Sequence, residues 1–263
     1  MTARTETAPK LIIKANPQAA AREAARIFIH TARISLETSD TFSVLLSGGK
    51  TPELLLQLLA DPPDRERLDW KRLFIFWGDE RIVPATSAES NYRMAKEALL
   101  DHIPIPVQNI YRVPTELQSP ELIAHAYEAT VRDFFQISLG TPHFDFAFLG
   151  LGSDGHTASL FPDSDYIALS ADNERLVISP FVIHLQQHRI SVTLRVLNSA
   201  KHLLLLVTGQ EKAQALQAAL QPQPNDQLRP VTQTLTGNRD VTWITDTAGA
   251  ALLKKPLNSK DHK

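Results

Sequence analysis

The amino-acid sequence predicts an α/β fold, a doubly wound and largely parallel sheet with helices on both faces. Three observations carry this prediction. Short apolar runs alternate along the chain with segments whose apolar residues recur at helical spacing. Two of the runs, Phe144 to Leu149 and Leu203 to Val207, are apolar at nearly every position, as strands buried on both faces of a parallel sheet are. Turns rich in glycine or charge follow several runs directly, at the strand ends where open α/β sheets bind ligands.

Taken in order, Leu11 to Ile13 is a short apolar stretch. Asn16 suits a helix N-cap with Pro17 in the first turn, and Ala21, Ala24, Ala25, Phe28 and Ala32 fall on one face of that helix. Phe42 to Leu46 reads as a strand running into Ser47-Gly48-Gly49-Lys50-Thr51-Pro52. Thr51 and Pro52 suit the N-cap and first position of a second helix, with Leu54, Leu55, Leu58 and Leu59 inward, closed by Asp61-Pro62-Pro63-Asp64. A third strand, Leu73 to Trp77, ends in Gly78-Asp79-Glu80-Arg81, and a helix follows at about Asn91 to Leu100. Asn109 to Val113 reads as a short strand. Ser119 and Pro120 open a helix carrying Ile123, Tyr127, Thr130 and Phe134 on its inner face, which leads into Phe144 to Leu149. Leu176 to Ile178, Ile190 to Leu194 and Leu203 to Val207 follow as strands. Thr208, with Glu211 three residues later, matches a capping box for a helix that turns Ala213, Leu216 and Leu220 inward. Residues 221–230 read as a loop, Val241 to Ile244 as a last strand before a short C-terminal helix, and residues 254–263 as a frayed tail. No repeat or linker divides the chain, so residues 1–263 are expected to form one domain.

With 263 residues the chain can bury a sizeable core. A formal net charge of -2 offers no strong field for nucleic acid or an acidic membrane. The absence of cysteine excludes disulfides, thiolate catalysis and cysteine-ligated metal centres. Residues 1–14 contain no apolar core of signal-peptide length, and no run approaches the roughly 18 apolar residues of a membrane span. The cytoplasm is the expected compartment, and a monomer the default in the absence of any signal for assembly.

Four strand ends carry chemistry that a sheet of this kind would gather at one edge. Around Gly150, Gly152 and Gly155 the chain places Asp154 and His156, a carboxylate and an imidazole in an open turn; local capping and a local hydrogen bond are the plainer reading of both. Gly48 and Gly49 lead into a helix N-terminus, whose free N–H groups and dipole favour an anion, or else they make a tight turn and no more. A nucleotide P-loop is excluded, because its first glycine would fall on Val44 inside the strand. Asp79-Glu80-Arg81 is either a solvated charge run or a pocket whose arginine holds an anion in bidentate fashion. Lys212 lies in a first helical turn, where the dipole disfavours a cation; either Glu211 offsets it or a bound anion does. No histidine pair has metal-ligand spacing. The residues therefore point to metal-free chemistry on an anionic substrate, with the reaction left open.

The segments LSGGKTPELL (46–55), WGDERIVP (77–84), SNYRMAKEALL (90–100), FLGLGSDGHTASLFP (148–162) and VTGQEKA (207–213) resemble, in order, the signatures of the 6-phosphogluconolactonase family. The resemblance runs from the first helix to the strand containing Trp243, and the stretch around His156 is its most specific part. It implies a Rossmann-like fold shared with glucosamine-6-phosphate deaminase, and hydrolysis of 6-phosphoglucono-δ-lactone in the pentose phosphate pathway, without a cofactor. It further implies that His156 is the general base that activates water, with Asp154 beside it to orient or tune the ring. Arg81 and Lys212, with the N–H groups of Gly48 and Gly49, would hold the 6-phosphate, and Asp79 would be a second-line polar contact.

Lys50 and Arg195 depart from the family pattern, which has a small polar residue at the first position and proline at the second. Lys50 either adds to phosphate binding or points outward, and Arg195 leaves the path of its segment open. Two other functions compete. A deaminase-isomerase of the same fold would carry acids shortly after the histidine and a tyrosine at the Arg81 position, whereas Thr157 to Pro162 contains no acid. A sugar-phosphate-sensing regulator would need a basic recognition helix, for which the residues before the first strand leave no room.

Overall fold

The computed structural model describes residues 10–170, 174–222, 230–234 and 240–254; most of the loop expected at 221–230 and of the tail expected at 254–263 lies outside the described residues. In chain order the elements are β1 (Lys10–Lys14), α1 (Pro17–Ser35), β2 (Phe42–Leu46), α2 (Lys50–Ala60), β3 (Leu73–Trp77), β4 (Asp79–Arg81) and α3 (Asn91–Ala98). There follow β5 (Ile110–Tyr111), α4 (Pro120–Phe135), β6 (Phe146–Leu149), α5 (Tyr166–Leu169), β7 (Val177–Ile178), β8 (Phe181–Val182) and β9 (Gln187–Val192). The remainder is α6 (Leu194–Ser199), β10 (His202–Val207), α7 (Ala213–Leu220), α8 (Pro230–Gln233) and β11 (Val241–Asp246).

Seven strands form one sheet in the order β1-β11-β10-β6-β2-β3-β5, and every pairing in it is parallel. Strands β2, β6 and β11 are buried at every position; β6 is apolar throughout, β2 is broken only by Ser43, and β11 also buries Thr242, Thr245 and Asp246. Phe28 of α1 packs against Phe42, Phe146 and Phe148 on one face. Phe134 of α4 packs against Phe74, Phe76 and Tyr111 on the other. The register sets Phe76 level with Leu45, and Phe146 level with Val44, so the two aromatic clusters lie on opposite faces. The doubly wound reading therefore stands. Among the described residues no helix is long and apolar enough to cross a membrane.

The structure corrects four local expectations. Asp79 to Arg81 is a strand, not a turn: the chain leaves the parallel sheet at Gly78 and β4 pairs antiparallel with β9 in a second sheet that also holds β7. Its three polar residues carry no apolar alternation to betray it. The N-cap of α2 is Gly49, not Thr51, and it makes no side-chain cap. The Thr208–Glu211 capping box does not form; Gly209 holds the cap position of a 3₁₀ turn, Gln210–Lys212, that precedes α7. After β11 the chain makes turns over 247–252 where a helix was expected.

One buried side chain completes the edge of β3. Strand β5 pairs only with Ile75 and Phe76, so the backbone groups of Trp77 on that side have no strand partner. The Tyr127 hydroxyl accepts from Trp77 N at 2.8 Å and donates to Trp77 O at 3.0 Å. Burial raises the pKa of the phenol well above its usual value, so it stays protonated and serves both groups. Removing the hydroxyl leaves a buried N–H and a buried C=O unpaired. Tyr127→Phe is therefore expected to destabilise the protein by about 1–3 kcal/mol, read as a lower denaturation midpoint with an unchanged denaturant slope.

Candidate active site

A cleft of about 360 Å³ opens at the carboxyl ends of β2, β3, β6 and β10 and is lined by Gly48, Gly49, Lys50, Asp79, Arg81, His156 and Lys212. Of the site residues singled out in the sequence, only Asp154 is outside the lining, and it stands directly behind His156. Seven residues from four separate stretches thus meet around one space because parallel pairing turns the same end of every strand toward it.

The histidine is held from three directions. Asp154 Oδ1 lies 2.6 Å from His156 Nδ1 and also accepts from the His156 backbone N–H at 3.1 Å. The Phe161 ring covers one face of the imidazole at a centroid distance of 4.0 Å. Beneath, His156 O accepts from Gly152 N at 2.8 Å, and Thr157 Oγ1 donates to Gly150 O at 3.0 Å, which folds the turn back on the end of β6. Burial works to raise the Asp154 pKa, but the hydrogen bond and charge of His156 outweigh it and bring it down to about 2. Asp154 loses its side of this interaction as pH falls through that value. At neutral pH Asp154 is a pure acceptor, so the proton between them belongs to Nδ1 and the free lone pair of a neutral His156 is on Nε2.

Gly152 is required by close approach. A Cβ there would sit 2.1 Å from His156 Nδ1 and 2.4 Å from Asp154 Oδ1, because the carboxylate and the ring lie across its Cα. Gly48 meets a similar constraint from Asn91, whose Oδ1 would be 1.8 Å from an added Cβ.

In the same cleft, α2 follows the N-cap Gly49, which makes no side-chain cap, so its first N–H groups are unclaimed by any side chain. Lys50 is exposed on its first turn, and Arg81 and Lys212 bring two further cations. Arg81 is anchored by Nη1 donating to Glu89 O at 2.5 Å. Its cross-strand partner is Arg189, whose pKa is lowered first by burial and then by the Arg81 charge. Asp79, Glu80 and Glu89 partly offset the charge of this arginine pair. Asp79 is buried and accepts from Ser159 Oγ at 2.7 Å, tying β4 to the histidine turn.

Several residues in or beside the cleft have roles that differ from their sequence reading or had none assigned. Asn91 Nδ2 donates to Asp79 O at 3.0 Å, and its backbone N–H donates to Glu80 Oε1 at 2.8 Å. Glu80 is 2% exposed and also receives Ser90 Oγ and the Tyr92 and Arg81 N–H groups, which locks β4 to the start of α3. Burial raises its pKa despite the three backbone N–H bonds. Thr51 and Thr208 share a hydroxyl–hydroxyl hydrogen bond of 3.1 Å that bridges two of the cleft loops. Such roles depend on partners far away in sequence, which spacing does not reveal. Arg195 lies apart, on α6, bonded to Thr141 and 3.8 Å from Glu174. Among the described residues no group of three His, Asp or Glu side chains is placed to hold a metal ion.

Residues 15–243 match the family described as glucosamine-6-phosphate isomerases/6-phosphogluconolactonase. The chain is 37% identical over 205 residues to a 6-phosphogluconolactonase of Synechocystis, covering 78% of this chain and 81% of that one. It is 38% identical over 213 residues to the 6-phosphogluconolactonase of Haemophilus influenzae, covering 80% and 87%. The solved 6-phosphogluconolactonase of Trypanosoma cruzi superposes with a TM-score of 0.82 at 30% identity, over 97% of this chain and all of that one, 100%.

Gly152→Ala puts a methyl group where the His156–Asp154 hydrogen bond runs. A low-field Nδ1 proton resonance of His156 is expected in the wild type and is expected to disappear in this variant, read by proton NMR of the folded protein.

Proposed function

This chain belongs to the glucosamine-6-phosphate isomerase/6-phosphogluconolactonase family, and within it we propose that it hydrolyses 6-phosphoglucono-δ-lactone to 6-phosphogluconate, in the pentose phosphate pathway and without a metal. The observation that carries this reading is that a histidine–carboxylate pair shares one cleft with three cationic side chains and an uncapped helix N-terminus. Together they suit a substrate with an electrophilic carbonyl at one end and a phosphate dianion at the other.

The lactone C1 is attacked by water as His156 Nε2 takes a proton from it. The new C–O bond converts the carbonyl into a tetrahedral oxyanion. That intermediate collapses, the bond from C1 to the ring oxygen breaks, and the leaving C5 oxygen takes the proton from the imidazolium. The product carboxylic acid then ionises, so each turnover consumes one water and releases one proton. The ester is already reactive, and no covalent intermediate is needed. Asp154 keeps Nδ1 protonated and stabilises the imidazolium that forms between the two steps. Arg81, Lys212 and Lys50, with the first N–H groups of α2, hold the phosphate, and their fixed placement aligns C1 with His156. Asp79, braced by Ser159, offers an acceptor to a substrate hydroxyl.

Three outcomes test the reading. In a continuous proton-release assay on freshly made lactone, the wild type should exceed the uncatalysed blank, and His156→Gln should lower kcat by about 10²–10⁴-fold with KM little changed. Equal turnover in both would remove His156 from the reaction. Because Asp154 is ionised above about pH 2, it should contribute no limb to the pH–rate profile between pH 4 and 9. A chelator should leave the rate intact; loss of activity restored by one added metal ion would contradict the metal-free route.

A further inference from the structure

We infer that Asp246 is a positioning residue for the anion-binding turn, acting through Gly209 on Lys212; this rests on the reading of Lys212 as a phosphate contact. Asp246 closes β11, the strand beside β10, and is 3% exposed. Its Oδ1 accepts from Gly209 N at 3.0 Å and from Gly249 N at 2.8 Å. Gly209 stands where the chain leaves β10 and turns toward the cleft. Lys212 N donates back to Gly209 O at 3.1 Å, which closes the 3₁₀ turn. Fixing Gly209 therefore fixes the start of the turn at whose end Lys212 lines the cleft.

The same turn is held from its other side by the Thr208 hydroxyl on Thr51, at the start of α2. The two ties make a frame: Asp246 joins the lysine turn to the sheet, and Thr51 joins it to the helix whose N-terminus forms the opposite part of the anion wall. Burying a carboxylate is costly unless hydrogen bonds replace its hydration, and both donors to Oδ1 are backbone N–H groups. Asp246 thus acts on the path of the main chain and touches no substrate. Without it the Gly209 N–H loses its acceptor, and the Lys212 ammonium ranges over more orientations before phosphate captures it.

The test is a double-mutant cycle in steady-state kinetics on the phosphorylated lactone. Asp246→Ala should raise KM about tenfold with kcat within about twofold of wild type, and Asp246→Asn, which keeps an acceptor oxygen, should restore most of the loss. In a Lys212→Ala background, Asp246→Ala should add almost nothing to KM. An equal rise in both backgrounds, or an unchanged KM in the folded single variant, would overturn the inference while leaving the phosphate reading intact. If Lys212→Ala itself leaves KM unchanged, the phosphate reading fails and the inference falls with it. Should the alanine variant not fold, Asp246→Ser, whose shorter hydroxyl does not reach Gly209, is read in the same way.

Discussion

Parallel pairing is the constraint on which the remaining structure depends. In the seven-stranded sheet the carboxyl ends of β2, β3, β6 and β10 lie along one edge, and each is followed by a segment that bears polar or charged groups. An antiparallel arrangement would send alternate strand ends to opposite edges and scatter the same residues. The price is burial of the strands on both faces, met by the phenylalanine clusters under α1 and α4. The apolar core and the polar edge are consequences of one topology.

At that edge, carboxylates organise the turns, with Asp79, Glu80 and Asp246 buried and Asp154 exposed. Glu80 gathers the first N–H groups of α3, and Asp246 gathers those of the turns after β10 and β11. Asp79 reaches across to Ser159, and Asp154 to His156. Glu80 and Asp246 thus hold cleft-forming segments without having to meet substrate, while Asp79 lines the cleft itself. Such preorganisation lets binding of the phosphate place the reacting carbon with little further ordering.

Much of this was legible in the sequence, for physical reasons that also mark the limit. Phe42–Leu46 and Leu73–Trp77 were readable to the residue, because a strand largely buried on both faces leaves a nearly continuous apolar run, broken here only by Ser43. Asp79–Arg81 was not, since its pairing with Arg189–Ser191 is a long-range choice that three polar residues do not encode locally. The glycine turns pointed to the cleft because close approach leaves glycine as the only fitting residue, as at Gly152 beneath His156. Thr208 and Glu211 misled: their spacing fits a capping box, yet the Thr208 hydroxyl is bonded to Thr51, 157 positions away. Asn91 and Asp246 are ordinary polar residues until the fold brings their partners to them.

The account rests most heavily on an ionised Asp154 that keeps the proton of neutral His156 on Nδ1 and leaves Nε2 free for water. The direct measurement is the tautomer of His156, read from ¹⁵N multiple-bond NMR of histidine-labelled protein in wild type and Asp154→Ala. Predominance of the Nδ1–H form in wild type, lost in the variant together with turnover, is the predicted result. A wild-type ring protonated chiefly on Nε2, with no base presented to the cleft, would contradict it.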